Sequence, residues 1–93
     1  MKAELIINER HVLEARTFVE IVIWHLDRPV RGSIHKFKYR LALVADLGCV
    51  LRYDNEAGKG DHRHIGSAET RYKFVDPEIL LADFWNDVEA WRR

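Results

Sequence analysis

The sequence predicts an α+β fold, a mostly antiparallel β-meander of about five or six strands packed by one C-terminal α-helix. Three features indicate it: an alternating run at residues 15–26, a hairpin pattern around residues 46–48, and a helix-start signal at residue 76. The 93 residues are 47% hydrophobic and 32% charged, as in one soluble domain, so residues 1–93 are expected to form a single domain. A chain this short buries a small core, so a homodimer or another partner would add useful buried surface.

Two strands are predicted in the N-terminal third of the chain. The segment AELII, residues 3–7, forms the first, and ARTFVEIVIWHL, residues 15–26, forms the second. The β-branched residues of the second segment favour a strand over a helix. Its alternation places one set of side chains on a common face: Ala15, Thr17, Val19, Ile21 and Ile23. The segment DRPVRGS, residues 27–33, ends this pattern.

A hairpin is predicted in the middle of the chain. The strands HKFKYRLALVA and CVLRYDNE flank Asp46-Leu47-Gly48, where Gly48 suits the left-handed position of a three-residue loop. One register then gives an apolar face and an ion-paired face. It pairs Ala45 with Cys49, Leu43 with Leu51, Leu41 with Tyr53, Arg40 with Asp54 and Lys38 with Glu56.

Two short strands and a helix complete the predicted fold. The segments HRHIG, residues 62–66, and TRYKFV, residues 70–75, are expected to be strands whose register the sequence leaves open. Asp76-Pro77-Glu78 supplies an N-cap, a proline in the first turn and a favourable charge, so a helix should run to about Trp91. Its apolar stripe should cover one face of the sheet: Leu80, Leu81, Phe84, Trp85, Val88 and Trp91. Trp91 is the better candidate for an interface, and Trp85 for the core.

Cysteine usage and hydropathy indicate a cytoplasmic protein without a membrane partner. The single Cys49 cannot form an internal disulfide, and the first residues lack an apolar core of signal-peptide length. Net charge is zero, but residues 28–40 carry five basic and no acidic side chains, and residues 76–89 carry five acidic and no basic ones. Neutralisation between these segments is favoured over a patch that faces a polyanion.

The segment DNEAGKGDHRH, residues 54–64, concentrates ionisable side chains on a glycine-rich turn. Gly58 and Gly60 flank Lys59, so the backbone could turn tightly and present amide groups and a lysine to a phosphate. The spacing does not match a Walker A motif. A mobile surface turn is the alternative.

His62 and His64 are the leading candidates for catalysis. In an extended segment, side chains two residues apart share a face, so both imidazoles could reach one substrate. One could remove a proton while the other donates one, and Lys59 and Arg63, with Lys38, could stabilise phosphate charge. This is the chemistry of a metal-independent ribonuclease that needs no cofactor, with Asp61 expected to assist a histidine.

Other interpretations of the same segment stay open. His62 and His64 could bind a metal ion with Asp61 or Asp54 as third ligand. The loop could instead transfer a phosphate-containing group to a cellular target. A non-enzymatic binding module would use the sheet and Trp91 to hold a partner, with the loop as a contact surface. Finally, Asp61 could orient one histidine for structural reasons while the other is a solvated strand residue.

Most of the chain resembles the TumE family. The similarity lies in KYRLALVAD, in CVLRYDNEAGKGDHRHIG and in YKFVDPEILLADFWNDV, and its specific part is the glycine-flanked lysine followed by Asp-His-x-His. The resemblance implies an intracellular toxin of a two-gene toxin–antitoxin module. It also implies a cognate antitoxin, usually encoded beside the toxin and carrying a DNA-binding module, as partner. It supplies no established set of catalytic residues.

Overall fold

The structure, a computed structural model, describes residues 2–93 and consists of six strands followed by one helix. The strands form a single antiparallel sheet in the order of the chain, and the helix packs on one face. The predicted α+β meander is therefore confirmed. The elements are β1 (Ala3–Glu14), β2 (Thr17–Leu26), β3 (Phe37–Ala45), β4 (Gly48–Glu56), β5 (Gly60–Ile65), β6 (Ala68–Arg71) and α1 (Pro77–Arg92).

The core lies between the central strands and α1. Alternate residues of β2 are fully buried, as the sequence pattern predicts, including Val19, Ile21 and Ile23. Residues of β3 and β4 extend this apolar face, and the helix covers it with Leu80, Phe84 and Val88, which are all inaccessible to solvent. Within the described residues 2–93 the opposite face of the sheet carries no helix, and we call it the open face.

The first strand is longer than the sequence prediction of residues 3–7. It runs to Glu14 and pairs with β2 along its whole length, with two register shifts. All its residues except the partly buried Ile7 and Leu13 are exposed, as expected for an edge strand that solvent reaches on both faces. A two-residue turn at Ala15 and Arg16 leads into β2, and Arg16 has a left-handed φ of 63°.

The predicted hairpin register is correct in the middle of the two strands. It is wrong next to the turn, and the predicted pair of Lys38 with Glu56 is not formed. Arg40 lies opposite Asp54 and Leu43 opposite Leu51, but Ala45 lies opposite Gly48 because a bulge follows Leu43. The loop was also wrongly predicted, since the left-handed residues are Asp46 and Leu47, with φ of 49° and 68°. Two left-handed residues form the tight turn whose twist matches the strands, and Gly48 already belongs to β4.

Replacing Leu47 by glycine should stabilise the protein. Leu47 is fully exposed and packs against nothing that would be lost, yet its side chain disfavours the left-handed backbone it must adopt. The expected gain is about 1 kcal/mol, seen as a rise of roughly 4 to 8 °C in the midpoint of thermal unfolding. Leu47→Ala is the matched control, because alanine retains the strain, and it should change the midpoint little. An unchanged midpoint in Leu47→Gly would contradict the turn geometry.

The last two strands begin earlier than predicted. Glu56 pairs with Gly60 across a three-residue turn, so β5 starts at Gly60, and β6 covers Ala68–Arg71 rather than residues 70–75. After Arg71 the backbone keeps one hydrogen bond to β5, from the Tyr72 N–H to the Asp61 carbonyl at 3.0 Å, and two alternate side chains, Tyr72 and Phe74, turn toward the core. Tyr72 packs edge-on against Tyr53, and Phe74 stacks on His35.

The C-terminal helix forms as predicted. Asp76 is the N-cap and its Oδ1 accepts from the backbone N–H of Ile79 at 2.8 Å, with Pro77 in the first turn. Trp85 is partly buried against the core, whereas Trp91 is 42% exposed. The role of Trp91 in an interface stays a prediction. Within residues 2–93, α1 is too short and too polar to span a bilayer.

Candidate functional site

His62 and His64 lie together on the open face, as the alternation of an extended segment requires. Their ring centroids are 6.5 Å apart. Asp54 of β4 lies directly opposite His62, and Arg52 lies opposite His64. The two imidazoles therefore line a small polar depression, which we call the histidine pocket. Its walls are formed by Arg52, Asp54, Glu56, Lys59, His62, His64 and Glu69.

Each imidazole of the histidine pocket has one hydrogen-bond partner that indicates which ring nitrogen carries the proton. His62 Nδ1 lies 3.3 Å from the carbonyl oxygen of Gly60, to which it can donate, so its Nε2 is left as an acceptor. His64 Nε2 accepts from Arg52 Nη2 at 3.1 Å. In both rings the partners therefore place the proton on Nδ1 and leave Nε2 as an acceptor.

Glu69 lies between the two histidines. Its Oε1 is 3.8 Å from His62 Nε2 and its Oε2 is 3.7 Å from His64 Nδ1. Asp54 Oδ1 approaches His64 from the other side at 3.7 Å. Since Glu69 is half-exposed on the short edge strand β6, its carboxylate marks a position that an anionic group can occupy between the imidazoles.

Asp61 lies on the opposite side of the strand from the histidine pocket. Its side chain is 10% exposed and accepts three hydrogen bonds: from Ser33 Oγ at 2.7 Å, His35 Nε2 at 2.6 Å and Tyr39 Oη at 2.6 Å. His35 Nδ1 in turn accepts from the backbone N–H of Phe37, so its proton is on Nε2. We call these residues the aspartate clasp. It ties the loop before β3 to the start of β5.

The glycines of the turn serve a close approach between two backbone segments. Gly32 and Gly60 both have left-handed φ values, 96° and 77°, and a Cβ atom on Gly32 would lie only 2.9 Å from the nitrogen of Gly60. The amide of Gly58 donates to the Arg31 carbonyl, and that of Lys59 donates to the Glu56 carbonyl. These two amides are already used, so the prediction of phosphate binding rests on the lysine side chain.

Arg63 is also separated from the histidine pocket. Its guanidinium bonds both oxygens of Asp87 on α1, at 2.7 and 3.0 Å, and Tyr53 donates to the same carboxylate at 2.5 Å. Partial burial opposes ionisation of Asp87, but the hydrogen bonds from Arg63 and Tyr53 outweigh it and lower its pKa. Within residues 2–93 no direct ion pair joins residues 28–40 to residues 76–89, and the neutralisation between those segments stays a prediction.

Three tyrosines should make the fold sensitive to alkaline pH. Burial first, and then a hydrogen bond to a carboxylate, raise the pKa of Tyr39, Tyr53 and Tyr72. A raised pKa gives stability that is complete below the unfolded value of about 10 and is lost as pH rises above it. For Tyr39, 1% exposed, the free energy of unfolding should fall by about 1.4 kcal/mol per pH unit.

Urea unfolding at pH 8 and pH 11 would measure this loss. Tyr39→Phe should show a shallower dependence on pH than the native chain, because phenylalanine has no proton to lose. Equal stability at the two pH values would contradict the buried position of the tyrosines.

Lys38 lies on the open face but does not line the histidine pocket. Its Nζ donates to the carbonyl oxygen of Asn55 at 2.6 Å, instead of pairing with Glu56 as predicted. Arg40 pairs with Glu20, at 3.9 Å, because Arg52 lies beside Asp54, with Arg52 Nε 3.0 Å from Asp54 Oδ2. Lys59 reaches the pocket and is 3.5 Å from Glu56.

Asp61, one of the two carboxylates considered as a third metal ligand, belongs to the aspartate clasp. Asp61 faces away from the two histidines, and its two oxygens are occupied by three donors. Across residues 2–93, no group of three or more histidine, cysteine, aspartate or glutamate side chains has an arrangement that could hold a metal ion.

The sequence prediction missed several residues of the histidine pocket. Arg52 and Glu69 contact the histidines, yet neither belongs to the glycine-rich segment. The register of β4 with β5 contained the missing signal: a three-residue turn that places Glu56 opposite Gly60 also places Arg52 opposite His64. The buried Asn55 was missed as well. Its side chain binds the backbone N–H of Tyr39 and the carbonyl of Phe37, which fixes the start of β3.

Together, the sheet, the covering helix and the histidine pocket define a small α+β protein with a candidate acid–base site on its open face. The family model described as Toxin TumE matches residues 2–92, nearly the whole chain, so the chain belongs to the TumE toxin family. The resemblance seen in the sequence is confirmed. The protein is accordingly a toxin of a toxin–antitoxin module, with an antitoxin as its general partner. No curated protein and no solved structure matches the chain.

Proposed function

We propose that the protein is a metal-independent endoribonuclease that uses His62 and His64 as an acid–base pair. The observation that carries the proposal is the pair of imidazoles, 6.5 Å apart, in one polar depression of the open face. A phosphodiester between two such groups could exchange protons with both. Family membership supports a toxic activity but does not specify its chemistry.

In the proposed reaction His62 acts as the base. Because its Nδ1 faces the Gly60 carbonyl, its Nε2 is available to accept the proton of a ribose 2′-hydroxyl. The 2′-oxygen then forms a bond to phosphorus, and the bond from phosphorus to the 5′-oxygen breaks. The product on one side is a 2′,3′-cyclic phosphate.

His64 acts as the acid in the same step. For this role its Nε2 must carry a proton, so the hydrogen bond that Nε2 accepts from Arg52 must first break. Asp54, whose Oδ1 lies 3.7 Å from Nε2, is then the counter-ion of the imidazolium. His64 donates a proton to the departing 5′-oxygen, which leaves as a hydroxyl group. Arg52, 3.1 Å from His64, and Lys59 are the cations nearest to the developing phosphate charge.

Glu69 must leave its position for the substrate to enter. Its carboxylate lies between the imidazoles, and a phosphate there would be repelled by its charge. The side chain is half-exposed and has no partner tighter than 3.7 Å among residues 2–93, so it can rotate away at low cost.

Induced expression in cells tests the proposal. The native chain should arrest growth and fragment total RNA, whereas His62→Gln/His64→Gln should do neither. Growth arrest with intact RNA would contradict the ribonuclease and favour group transfer or binding without turnover. Arrest by a folded double variant would contradict the assignment of the histidines.

A further inference from the structure

A second cleft, which shares Lys59 with the histidine pocket, lies at the end of the sheet where β5 begins. We call it the basic cleft. Its walls are the loop at residues 32–35, residues 59–61 and the segment at residues 71–74, and its volume is about 270 Å³. None of the catalytic roles proposed above uses the segment at residues 71–74.

The charge of the basic cleft is positive and largely uncompensated. Lys59, Arg71 and Lys73 line it, and the single acidic side chain in its wall is Asp61. The aspartate clasp already engages both oxygens of that carboxylate. Among residues 2–93, no acidic group lies within ion-pair distance of Arg71 or Lys73, unlike Arg52 and Arg63, which have partners at 3.0 and 2.7 Å.

The walls of the basic cleft are fixed and partly apolar. The close approach of Gly32 to Gly60 and the aspartate clasp hold two sides together. Phe74 stacks on His35 with ring centroids 3.9 Å apart, and Ile34 is 99% exposed at the rim. Cations beside aromatic and apolar side chains are the combination that binds single-stranded nucleic acid, because phosphates and bases are then both contacted.

The histidine pocket and the basic cleft share Lys59. The side chains that line the pocket include two that are positively charged, Arg52 and Lys59. They also include three carboxylates, those of Asp54, Glu56 and Glu69. A chain of phosphates would therefore need positive charge from outside the pocket, and the adjoining cleft supplies it through Arg71 and Lys73.

We propose that the basic cleft binds a nucleotide next to the scissile phosphate of single-stranded RNA. Arg71, Lys73 and Lys59 hold its phosphate, and Phe74 and Ile34 contact its base or ribose. This inference rests on the proposed function, since it extends the substrate of the histidine pocket by one nucleotide.

Binding of a labelled RNA oligonucleotide with 2′-O-methyl riboses tests the cleft apart from catalysis, because this probe cannot be cleaved through its 2′-oxygen. Fluorescence anisotropy would give its Kd over a range of salt concentrations. Arg71→Gln/Lys73→Gln should weaken binding about tenfold. It should also reduce the slope of log K against log salt by about 1.4, the value for two lost phosphate contacts on a single strand. Arg92→Gln/Arg93→Gln, which removes the same charge from the end of α1, is the matched control and should change Kd less than twofold.

The outcomes separate this inference from the proposed function. If Arg71→Gln/Lys73→Gln binds like its control, or if the native chain does not bind the probe, the basic cleft is not an RNA site, even where ordinary RNA is cut. If binding depends on Arg71 and Lys73 but ordinary RNA is not cut, the cleft inference stands and the ribonuclease fails.

Discussion

Replacing Asp61 by alanine should strongly destabilise the protein. The change removes the shared acceptor of Ser33, His35 and Tyr39 and leaves three donors in a nearly buried site. An unsatisfied buried polar group costs about 1 to 3 kcal/mol, so the free energy of unfolding should fall by about 3 to 4 kcal/mol or more. Thermal unfolding, followed by circular dichroism, should show a midpoint lower by roughly 15 °C or more.

His62→Ala is the matched control for this variant. It changes the next residue of β5, whose side chain lies on the open face, and should cost less than about 1 kcal/mol. Loss of toxicity in Asp61→Ala would then follow from unfolding. If Asp61→Ala instead had native stability and no activity, Asp61 would have a direct catalytic role and the aspartate clasp would not be structural.

Removal of either histidine should nearly abolish RNA cleavage by the purified protein. A positioned acid or base contributes about 10²- to 10⁴-fold, so His62→Gln and His64→Gln should each lower the rate by about that factor. The double variant should be hardly slower than the worse single variant, because both groups act in one step.

His35→Gln provides a contrasting variant for the kinetics. His35 belongs to the aspartate clasp and not to the histidine pocket, so its loss should lower stability and leave the rate of the folded fraction within about tenfold of native. If His35→Gln were folded and inactive while His62→Gln cleaved RNA normally, the active site would have to be assigned to the basic cleft, which His35 lines.

Local sequence patterns were sufficient to predict the parts of the fold that depend on local physics. The alternation of β2 follows from residues two apart sharing a face, and the start of α1 follows from an N-cap and a proline at adjacent positions. The turn after β3 was harder to predict. Asp46 and Leu47 are not glycine, so their left-handed backbone depends on the twist of the two strands that they join.

The candidate site could likewise be predicted only where it depends on residues that are close together in the sequence. Alternation brings His62 and His64 together, but it also sends Asp61 and Arg63 to the other face, a consequence that the prediction of one shared site overlooked. The partners of those two residues lie 22 to 28 positions away, in the loop before β3, on β3 itself and on α1. The alternation of residues within one β-strand does not predict contacts between positions so far apart in the sequence.

The chemistry of the cleaved ends is the most direct measurement of the proposed reaction. Purified protein would be incubated with a short RNA in the presence of a metal chelator, and the products would be identified by mass spectrometry. The expected result is a 2′,3′-cyclic phosphate on one product and a 5′-hydroxyl on the other, with no cleavage where the adjacent ribose carries a 2′-O-methyl group. Intact RNA after incubation with folded protein, or cleavage only after a divalent metal ion is restored, would contradict a metal-independent histidine pair.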